Sequence, residues 1–374
     1  MIGAKGLPGL QPVGGGVETH VENLALHLMA LGHKVTVYVR PYANPLGKKE
    51  WNGIKLVTLP SWFRKNFDTI THVFLSSIHA LTEPYDVIHY HGVGPSTLCW
   101  IPRLFKRRAR VIVTFHSRDQ FHEKWSLIAR MFLALGEWTA VRLPHATIAV
   151  SHAIKLFCDM TFKSRTVYYI PNGVDIPTSH PGTSELKRFG LQPGKYFLHL
   201  ARLMPLKAQD QTIRAFRTLQ TDDRLVLTGS AMFDEAGYAE YLKQLSRHDP
   251  RIVFTGYQTG INLKQLIAHC RAIIHPSRTE GLSVAILEAM SYGRFVIMSD
   301  IPQNLELIDH SGVAVPVGDV PALASAMQWA LDNPALTEER GERAKEIIGR
   351  LYSWESVARR IAKVYEKRKP YEKI

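Results

Sequence analysis

The amino-acid sequence predicts an α/β protein made of two Rossmann-like domains that face each other, each with a doubly wound parallel sheet. The chain has 374 residues, which is too long for one ordinary domain and suits two. Short apolar segments typical of buried strands alternate with helical patterns in both halves, as in parallel sheets covered on both faces. A stretch rich in proline and glycine, residues 171–194, separates the two halves.

The first half, residues 1–172, is predicted to form one domain. A glycine loop leads into a helix from Thr19 to Leu31, whose apolar residues recur at helical spacing. Strands are predicted at 34–39, 86–91, 110–116, 145–151 and 167–171. Only Met1 and Ile2 precede the glycine loop, where a complete first strand is expected, so we expect this domain to be somewhat weakened.

The second half, residues 173–352, repeats the plan. Strands are predicted at 196–200, 224–229, 252–256, 272–276 and 295–299, with a short one at 313–315. Residues 353–374 are expected to form a basic amphipathic helix, from Trp354 to Lys369, that crosses back to the first domain. Ligands of open α/β sheets bind at the carboxyl ends of the strands, so the two domains predict a cleft with a ligand in it.

The composition, 45% hydrophobic and 21% charged, is typical of a soluble globular protein. No window offers about 18 unbroken apolar residues, so no transmembrane helix is expected. Cys99, Cys158 and Cys270 lie far apart and form no metal or disulfide pattern, which favours a reducing compartment. The chain start leads straight into the glycine loop, with no signal peptide expected. We therefore expect a cytoplasmic protein, or one peripheral on the inner face of the cell membrane.

The net charge of +13 is concentrated in the first half. Residues 1–170 carry 20 Lys and Arg against 10 Asp and Glu, with a cluster at Lys106-Arg107-Arg108. Such a surface can meet nucleic acid, an anionic membrane or an anionic substrate, or simply be solvated. No zinc-finger, RRM or helix-turn-helix pattern is present, so nucleic acid is not the expected partner. Residues 61–67 mix aromatic and basic side chains, which favours an anionic membrane surface.

The most informative stretch is 277–293, which predicts a loop followed by a helix that begins after Ser283 and stops at Gly293. Glu288 lies in an otherwise apolar part of this helix, and a bare carboxylate there should have a partner. Glu280 lies in the loop before the helix. Between the two is a helix N-terminus, whose free N–H groups suit phosphate. A ligand with hydroxyls at both ends and phosphate in the middle, such as a nucleotide-sugar, fits this pattern.

Two cations lie in the loop after a predicted strand. Arg202 and Lys207 are five residues apart and can neutralise a diphosphate leaving group, the alternative being an ordinary surface pair. The sequence contains no Asp-x-Asp motif, so a metal-chelated diphosphate is not indicated. We therefore expect these two cations and the helix N-terminus to meet the charge of the leaving group without a metal.

Glycines and histidines mark the first domain. Gly14, Gly15 and Gly16 precede a helix and can bring backbone N–H groups close to a diphosphate or a sugar, unless they form only a structural turn. His91 and His116 each end a predicted strand and are candidates for hydrogen bonds to sugar hydroxyls or to a reacting group, again with a structural role as the alternative. A zinc site is not expected, because no third ligand has suitable spacing.

Taken together, these residues resemble the GT-B glycosyltransferases of the retaining family 4, also described as glycosyl transferases group 1. The most specific part is the glutamate pair Glu280 and Glu288, which matches that family's E-x7-E motif. The supporting pieces are Gly14 to Glu18, Arg202 with Lys207, Pro171 to Asp175, and Ser353 to Glu355. By its chemistry alone, the segment 172–175 reads as a structural turn. The resemblance covers nearly the whole chain.

The resemblance implies roles for individual residues. Glu280 and His116 would contact the donor sugar as the catalytic candidates, and Glu288 would bind the ribose hydroxyls. The other implied donor-binding residues are Arg202 and Lys207 on the diphosphate, the backbone of Gly281, Leu282 and Ser283 on phosphate, Gly15 and Gly16 at the donor–acceptor junction, and Gly256 and Tyr257, with Gln258, around the base. Two residues depart from the family pattern. Ala201 replaces the usual glycine before the arginine, and Leu282 marks a subfamily variant.

The expected activity is therefore transfer of a sugar from a donor such as a UDP- or GDP-sugar to an acceptor hydroxyl, without a cofactor. The resemblance implies retention of the anomeric configuration, and no residue pair reads as a nucleophile with its acid, which favours a front-face path. The basic first domain favours a lipid-linked or membrane-surface glycan acceptor in the assembly of cell-surface polysaccharide or lipopolysaccharide. The alternatives are a nucleotide-sugar epimerase, a phosphorylase-like enzyme on the same fold, and a non-catalytic nucleotide-sugar-binding protein.

Overall fold

The computed structural model describes residues 1–10, 15–62, 67–118, 127–231 and 235–366, with the side chains of 127–129 and 309–311 left out. It is a mixed α/β structure, which confirms the predicted fold class. The chain divides into two compact units. The first unit comprises Met1–Gly173 and the chain from Trp354 onward, and the second unit comprises Val174–Ser353.

The described residues form strands β1 Thr36–Val39, β2 Glu50–Trp51, β3 Ile54–Thr58, β4 Val87–His91, β5 Arg110–Phe115, β6 Ala146–Ala149, β7 Val167–Tyr169, β8 Tyr196–Leu200, β9 Arg224–Thr228, β10 Ile252–Gly256, β11 Ala272–His275, β12 Phe295–Ser299 and β13 Gly312–Val315. They form helices α1 Gly16–Ala30, α2 Phe67–Thr82, α3 Val93–Ser96, α4 Trp100–Phe105, α5 Leu127–Arg142, α6 His152–Phe162, α7 Ser184–Arg188, α8 Gln209–Arg217, α9 Ala236–Ser246, α10 Gly260–Ala268, α11 Val284–Ser291, α12 Pro302–Ser311, α13 Val320–Asp332, α14 Pro334–Leu351 and α15 Trp354–Glu366. Within these described ranges, no helix is both long and apolar enough to cross a bilayer.

The first unit contains two sheets, with strand orders β1-β3-β2 and β4-β5-β6-β7. Met1 and Ile2 lie between them. The Ile2 amide donates to the His89 carbonyl of β4 at 2.8 Å, and the Tyr38 amide of β1 donates to the Met1 carbonyl at 3.1 Å. Two residues thus connect β1 to β4 where a longer first strand was expected. The hairpin β2–β3 was not predicted, because its strands are short and partly exposed.

The core of the first unit joins α1 and α15 to the strands. Leu24 of α1, Ile112 of β5 and Ile361 of α15 belong to one buried cluster. The helical spacing of apolar residues in α1 predicted its buried side, which packs against α15. The C-terminal helix is therefore part of the first unit, although it follows the second unit in the sequence.

The second unit is built on a six-stranded parallel sheet with the order β10-β9-β8-β11-β12-β13. Its core packs α8 and α13 against the strands through buried residues such as Phe216, Ile274 and Met327. The chain runs outward from β8 in one direction and from β11 in the other. The carboxyl ends of these two neighbouring strands therefore mark the switch point, where doubly wound sheets bind ligands.

Candidate active site

Two loops meet at the switch point of the second unit. One follows β8 and ends in a 3-10 helix, Pro205–Lys207. The other follows β11 and runs to the start of α11. The amide of Arg278 in the second loop donates to the carbonyl of Leu206 in the first at 2.9 Å. This hydrogen bond holds the two loops next to each other, so that charged side chains from both loops can form contacts.

Glu280 and Lys207 form the ion pair at the centre of this site. The Lys207 ammonium donates to Glu280 Oε1, and both side chains are largely buried. Burial alone would raise the pKa of Glu280, but the Lys207 charge and a hydrogen bond from His275 outweigh it and hold that pKa well below its usual range. Glu280 is therefore ionised at neutral pH and can accept hydrogen bonds.

His275 is the second partner of Glu280, and its role is not predicted from the sequence. It ends β11, is almost fully buried, and places Nε2 2.7 Å from Glu280 Oε1. Because the carboxylate only accepts, the imidazole hydrogen lies on Nε2. The hydroxyls of Ser277 and Ser283 lie 3.1 Å from the same nitrogen. A histidine at the carboxyl end of a strand, directly before a loop with an important carboxylate, was the available signal.

Glu288 projects from α11 and is only partly buried. The sequence predicts a partner for this carboxylate, and among the residues that the structure describes none forms a hydrogen bond or an ion pair with it. Burial, with the nearby charge of Asp175, raises the pKa of Glu288 to about 7. Tyr292 lies close to both acids, and burial followed by these two charges raises its pKa as well. Glu288 is thus an acceptor that a ligand can use.

The start of α11 matches its prediction. Ser283 is the N-cap, and its Oγ accepts a hydrogen bond from the Ile286 amide at 3.4 Å. Gly281 and Leu282 are buried in the turn before it. Arg202, in the loop after β8, is partly buried, and its carbonyl accepts from the Gln209 side chain at 2.7 Å. These residues surround a helix N-terminus, which attracts anions.

Gly256 and Tyr257 lie at the end of β10, on the same edge of the sheet but two strands away from β8. Gly256 has φ of +69°, a conformation that favours glycine. Tyr257 is 40% exposed. Its ring is thus accessible at this edge, whereas Glu280 and Lys207 are mostly covered.

The glycine loop of the first unit is tied to the start of α1 by Glu18. Its carboxylate accepts from the Gly15 amide at 2.8 Å and from the Lys5 amide at 3.1 Å. Gly15 is the N-cap residue and Gly16 the first residue of α1. Gly14 lies outside the described residues. Glu18 therefore shapes this loop, a role that is not predicted from the sequence.

Three histidines of the first unit meet at the carboxyl ends of β4 and β5. His20 of α1 joins His91 and His116, and donor nitrogens of all three lie within 4.8 Å of one another. Sequence spacing predicts no third ligand, but the structure supplies one in His20, which is distant in sequence from the other two. Three such nitrogens can hold a divalent metal such as zinc, or serve as hydrogen-bond partners of a sugar.

All three histidines are neutral at pH 7. Burial lowers the pKa of His20 to about 4, although its hydrogen bond to Asn172 Oδ1, at 2.9 Å, acts in the opposite sense. Burial and neighbouring imidazoles hold the pKa of His91 and His116 well below the usual range. Because Asn172 Oδ1 accepts, His20 carries its hydrogen on Nδ1 and directs the lone pair of Nε2 elsewhere. Asn172 thus orients His20 at this site, in addition to its place in the turn 172–175.

Two Rossmann-like units, one with paired charges and a helix N-terminus at its switch point, agree with the architecture of the GT-B glycosyltransferases. Residues 14–177 match the family model described as Glycosyltransferase Family 4, and residues 194–333 match that of Glycosyl transferases group 1. The chain belongs to this family of glycosyltransferases and is a transferase enzyme, as the sequence analysis predicted.

Relatives in sequence carry glycosyltransferase names, and solved structures share the fold. The phosphatidylinositol N-acetylglucosaminyltransferase gpi3 subunit of Schizosaccharomyces pombe is 25% identical over 95% of this chain and 78% of its own length. The sucrose-phosphate synthase of Thermosynechococcus elongatus superposes with a TM-score of 0.79 at 21% identity, covering 94% of this chain and 93% of that one. Anabaena HepE, in complex with UDP and glucose, superposes with a TM-score of 0.78 at 21% identity, covering 93% and 95%.

Proposed function

We propose that this glycosyltransferase moves a sugar from a nucleotide-sugar to an acceptor hydroxyl with retention of the anomeric configuration. The observation that carries the proposal is the ionised Glu280, held by Lys207 and His275 beside the N-terminus of α11. A helix N-terminus that can bind phosphate thus lies beside a carboxylate that can accept hydrogen bonds from sugar hydroxyls. A sugar joined to a diphosphate needs both.

The second unit would bind the donor. Arg202, Lys207 and the turn Gly281–Ser283 would meet the diphosphate, and Glu288 the ribose hydroxyls. Gly256 and Tyr257 would lie beside the base. The complex of Anabaena HepE with UDP and glucose, on the same fold, supports a donor of this chemical class. The first unit, with His116, Gly15 and Gly16, would bind the acceptor and the transferred sugar.

The pairing of Glu280 supports a front-face path. A carboxylate with a strongly lowered pKa that already accepts from a lysine and a histidine is a weak nucleophile and a weak base. It is well suited to orient a sugar hydroxyl. The bond from the anomeric carbon to the diphosphate oxygen would break with its electrons on that oxygen. The acceptor oxygen would bond to the same face of the carbon, and its proton would pass to the departing phosphate. Arg202 and Lys207 would stabilise the leaving charge, without a metal.

The acceptor we propose is a lipid-linked or membrane-surface glycan, with the enzyme in the cytoplasm or on the inner face of the membrane. The excess of basic residues in the first half supports this. The Schizosaccharomyces pombe relative is named for a phosphatidylinositol acceptor. Assembly of a cell-surface polysaccharide is the process that such an acceptor suggests.

Thermal-shift screening with UDP-, GDP-, ADP- and dTDP-sugars tests the donor. A cognate donor at about 100 times Kd adds about 2.7 kcal/mol to the free energy of unfolding, whereas an unrelated one adds none. NMR of the product made from that donor tests retention. An inverted anomer would refute the front-face path, a free epimer would indicate an epimerase, and donor binding without turnover would indicate a binding protein.

A further inference from the structure

Helix α2 of the first unit exposes its apolar side. Its buried residues are small or polar: His72, Val73, Ser76, Ser77 and Ala80. The hydroxyls of Ser76 and Ser77 are satisfied within the protein by carbonyls one turn earlier. The exposed side carries Phe67, Phe74, Leu75 and Ile78, each between 37% and 50% exposed. Folding therefore leaves the larger apolar surface of this helix uncovered.

Helix α5 repeats the arrangement. Met131, Leu135 and Trp138 follow one another at helical spacing and are 66%, 51% and 45% exposed. Its acid, Glu137, is on the inner side and pairs with Arg118 at 3.3 Å. The single acid of α2, Asp68, is likewise turned toward an arginine of the core, Arg40. Both helices thus turn acids inward and apolar side chains outward.

These helices form one layer. The crossovers from β4 to β5 and from β5 to β6 join parallel strands of one sheet and are expected to be right-handed, which places α3, α4 and α5 on the same face of that sheet. Their contacts agree, since α2 packs against α3 and α4, and α3 packs against α5. Helix α4 adds Trp100, Leu104 and Phe105, which are 40%, 57% and 70% exposed. We call the outward sides of α2, α4 and α5 the apolar face.

A groove of about 360 Å³ indents this face. Four residues of α2 line it, together with Leu98 from the turn before α4. Exposed apolar surface on this scale, spread over three helices, marks an interaction site, since isolated exposed residues are common but contiguous ones are not. Water contact with these side chains is unfavourable, so an apolar phase or partner is expected to cover them.

The exposed charges on α4, on α5 and in the turn after α4 are positive, whereas two acids, Glu83 and Asp86, follow α2. The exposed arginines are Arg103, Arg107, Arg108, Arg130 and Arg142, on α4, on α5 and in the turn after α4. Apart from the two inward-facing acids, α2, α4 and α5 carry no acidic residue in their sequences. Basic residues next to aromatic and aliphatic ones match an anionic lipid surface, where phosphates meet the arginines and the acyl region receives the apolar side chains.

We propose that the apolar face of α2, α4 and α5 docks on an anionic lipid bilayer, with the three helices lying at the interface. This inference rests on the proposed function for its purpose, because docking would bring the first unit to a membrane-borne acceptor. The docking itself depends on the face alone. Each exposed arginine near the surface contributes about a fivefold gain in partition coefficient, and added salt weakens that part.

Flotation with vesicles tests the proposal on the full chain. Wild-type protein is expected to float with vesicles of phosphatidylcholine and phosphatidylglycerol and to remain unbound with phosphatidylcholine alone. The double variant Arg107→Gln with Arg108→Gln should bind about 25-fold more weakly. The double variant Leu135→Gln with Phe105→Gln should lose most binding. Leu336→Gln, which changes a leucine that is 45% exposed in the second unit, is the matched control and should bind like wild type.

Several results would overturn the proposal: wild type that stays unbound with anionic vesicles, face variants that float like wild type, or a dimer in light scattering that the face variants dissociate. The last result would make the face a protein interface. Donor thermal shifts on the same variants separate the two proposals. Face variants that no longer bind vesicles but are still stabilised by the donor in the thermal-shift assay would support docking, because their fold and donor site are intact. Wild type that binds vesicles but no nucleotide-sugar would refute the proposed function and leave docking intact.

Discussion

The Lys207 ammonium donates a hydrogen bond to Glu280 Oε1, although 73 residues separate the two in sequence. The contact joins the loop after β8 to the loop after β11. The two strands are neighbours in the sheet, so their carboxyl ends lie side by side. It balances a carboxylate that burial would otherwise tend to neutralise. Lys207, which is expected to bind the diphosphate, thus also pairs with Glu280, the carboxylate that is expected to hold the sugar.

Replacement of Lys207 by Gln should lower kcat/KM by about 100- to 1,000-fold, the usual effect of removing one group that stabilises a leaving charge. It should also raise the pKa of Glu280, because the positive charge that does most to lower that pKa is lost. The acid limb of the pH–rate profile should therefore move to higher pH. Lys243→Gln, a change on the exposed side of α9, is the control and should leave both quantities unchanged.

His275 should act by positioning Glu280. His275→Leu removes the hydrogen bond and should lower kcat about tenfold to 100-fold with a smaller change in donor KM, since orientation is lost more than binding. His275→Gln keeps an N–H donor at nearly the same distance and should recover much of kcat. The acid limb should shift upward in the leucine variant only. Equal losses in both variants, with no shift of that limb, would indicate a purely structural histidine.

Glu288 predicts a pH dependence of stability and of donor affinity. Its pKa of about 7 in the folded protein exceeds the value near 4.3 of an unfolded chain, so the folded state binds more protons between these values. Stability contributed by Glu288 is therefore present below about pH 4.3 and is lost as pH rises toward 7. Donor hydroxyls favour the ionised form, so donor affinity should rise from pH 6 to pH 8. Calorimetric titration measures this rise, and Glu288→Gln should abolish both trends.

The three neutral histidines predict a response to zinc. Excess chelator should leave transfer intact, because Arg202 and Lys207 would carry the leaving-group charge. Zinc at micromolar concentration should inhibit, by binding His20, His91 and His116, and chelator should restore activity. His20→Gln should weaken the inhibition, and magnesium should have no such effect because it prefers oxygen ligands. Loss of activity on chelation would contradict the proposed metal-free path.

Replacement of Gly173 by a residue with a side chain should disturb the packing around it. A Cβ at this position would lie 2.4 Å from the Trp354 ring, which packs in the core of the first unit. Gly173→Ala should therefore lower the free energy of unfolding by about 1–3 kcal/mol. The matched control is Gly349→Ala in α14, where a Cβ meets no atom within 4 Å, and it should stabilise by up to about 1 kcal/mol. Denaturant titration of both variants measures the difference.

The strands and the helix that carries Glu288 could be read from the sequence because their signals are local. Apolar runs, a serine N-cap and a glycine stop lie within a few residues of the structure they specify. The short β2–β3 hairpin was missed, since β2 has two residues, one exposed and one partly buried, and so produces little pattern. Local patterns thus indicated the fold class and placed Glu280 in a loop before a helix.

Contacts between distant residues needed the tertiary structure. His20 meets His91 and His116 only because α1 returns to the ends of β4 and β5. Lys207 reaches Glu280 only because β8 and β11 are neighbours, and the order of strands in a sheet is not written in any one strand. The side of α2 that faces water was also decided by tertiary packing, since its serines are satisfied by internal hydrogen bonds and its phenylalanines are left outside. The sequence by itself determined the class of enzyme, through local motifs, whereas long-range packing decided which charges pair and which surface stays exposed.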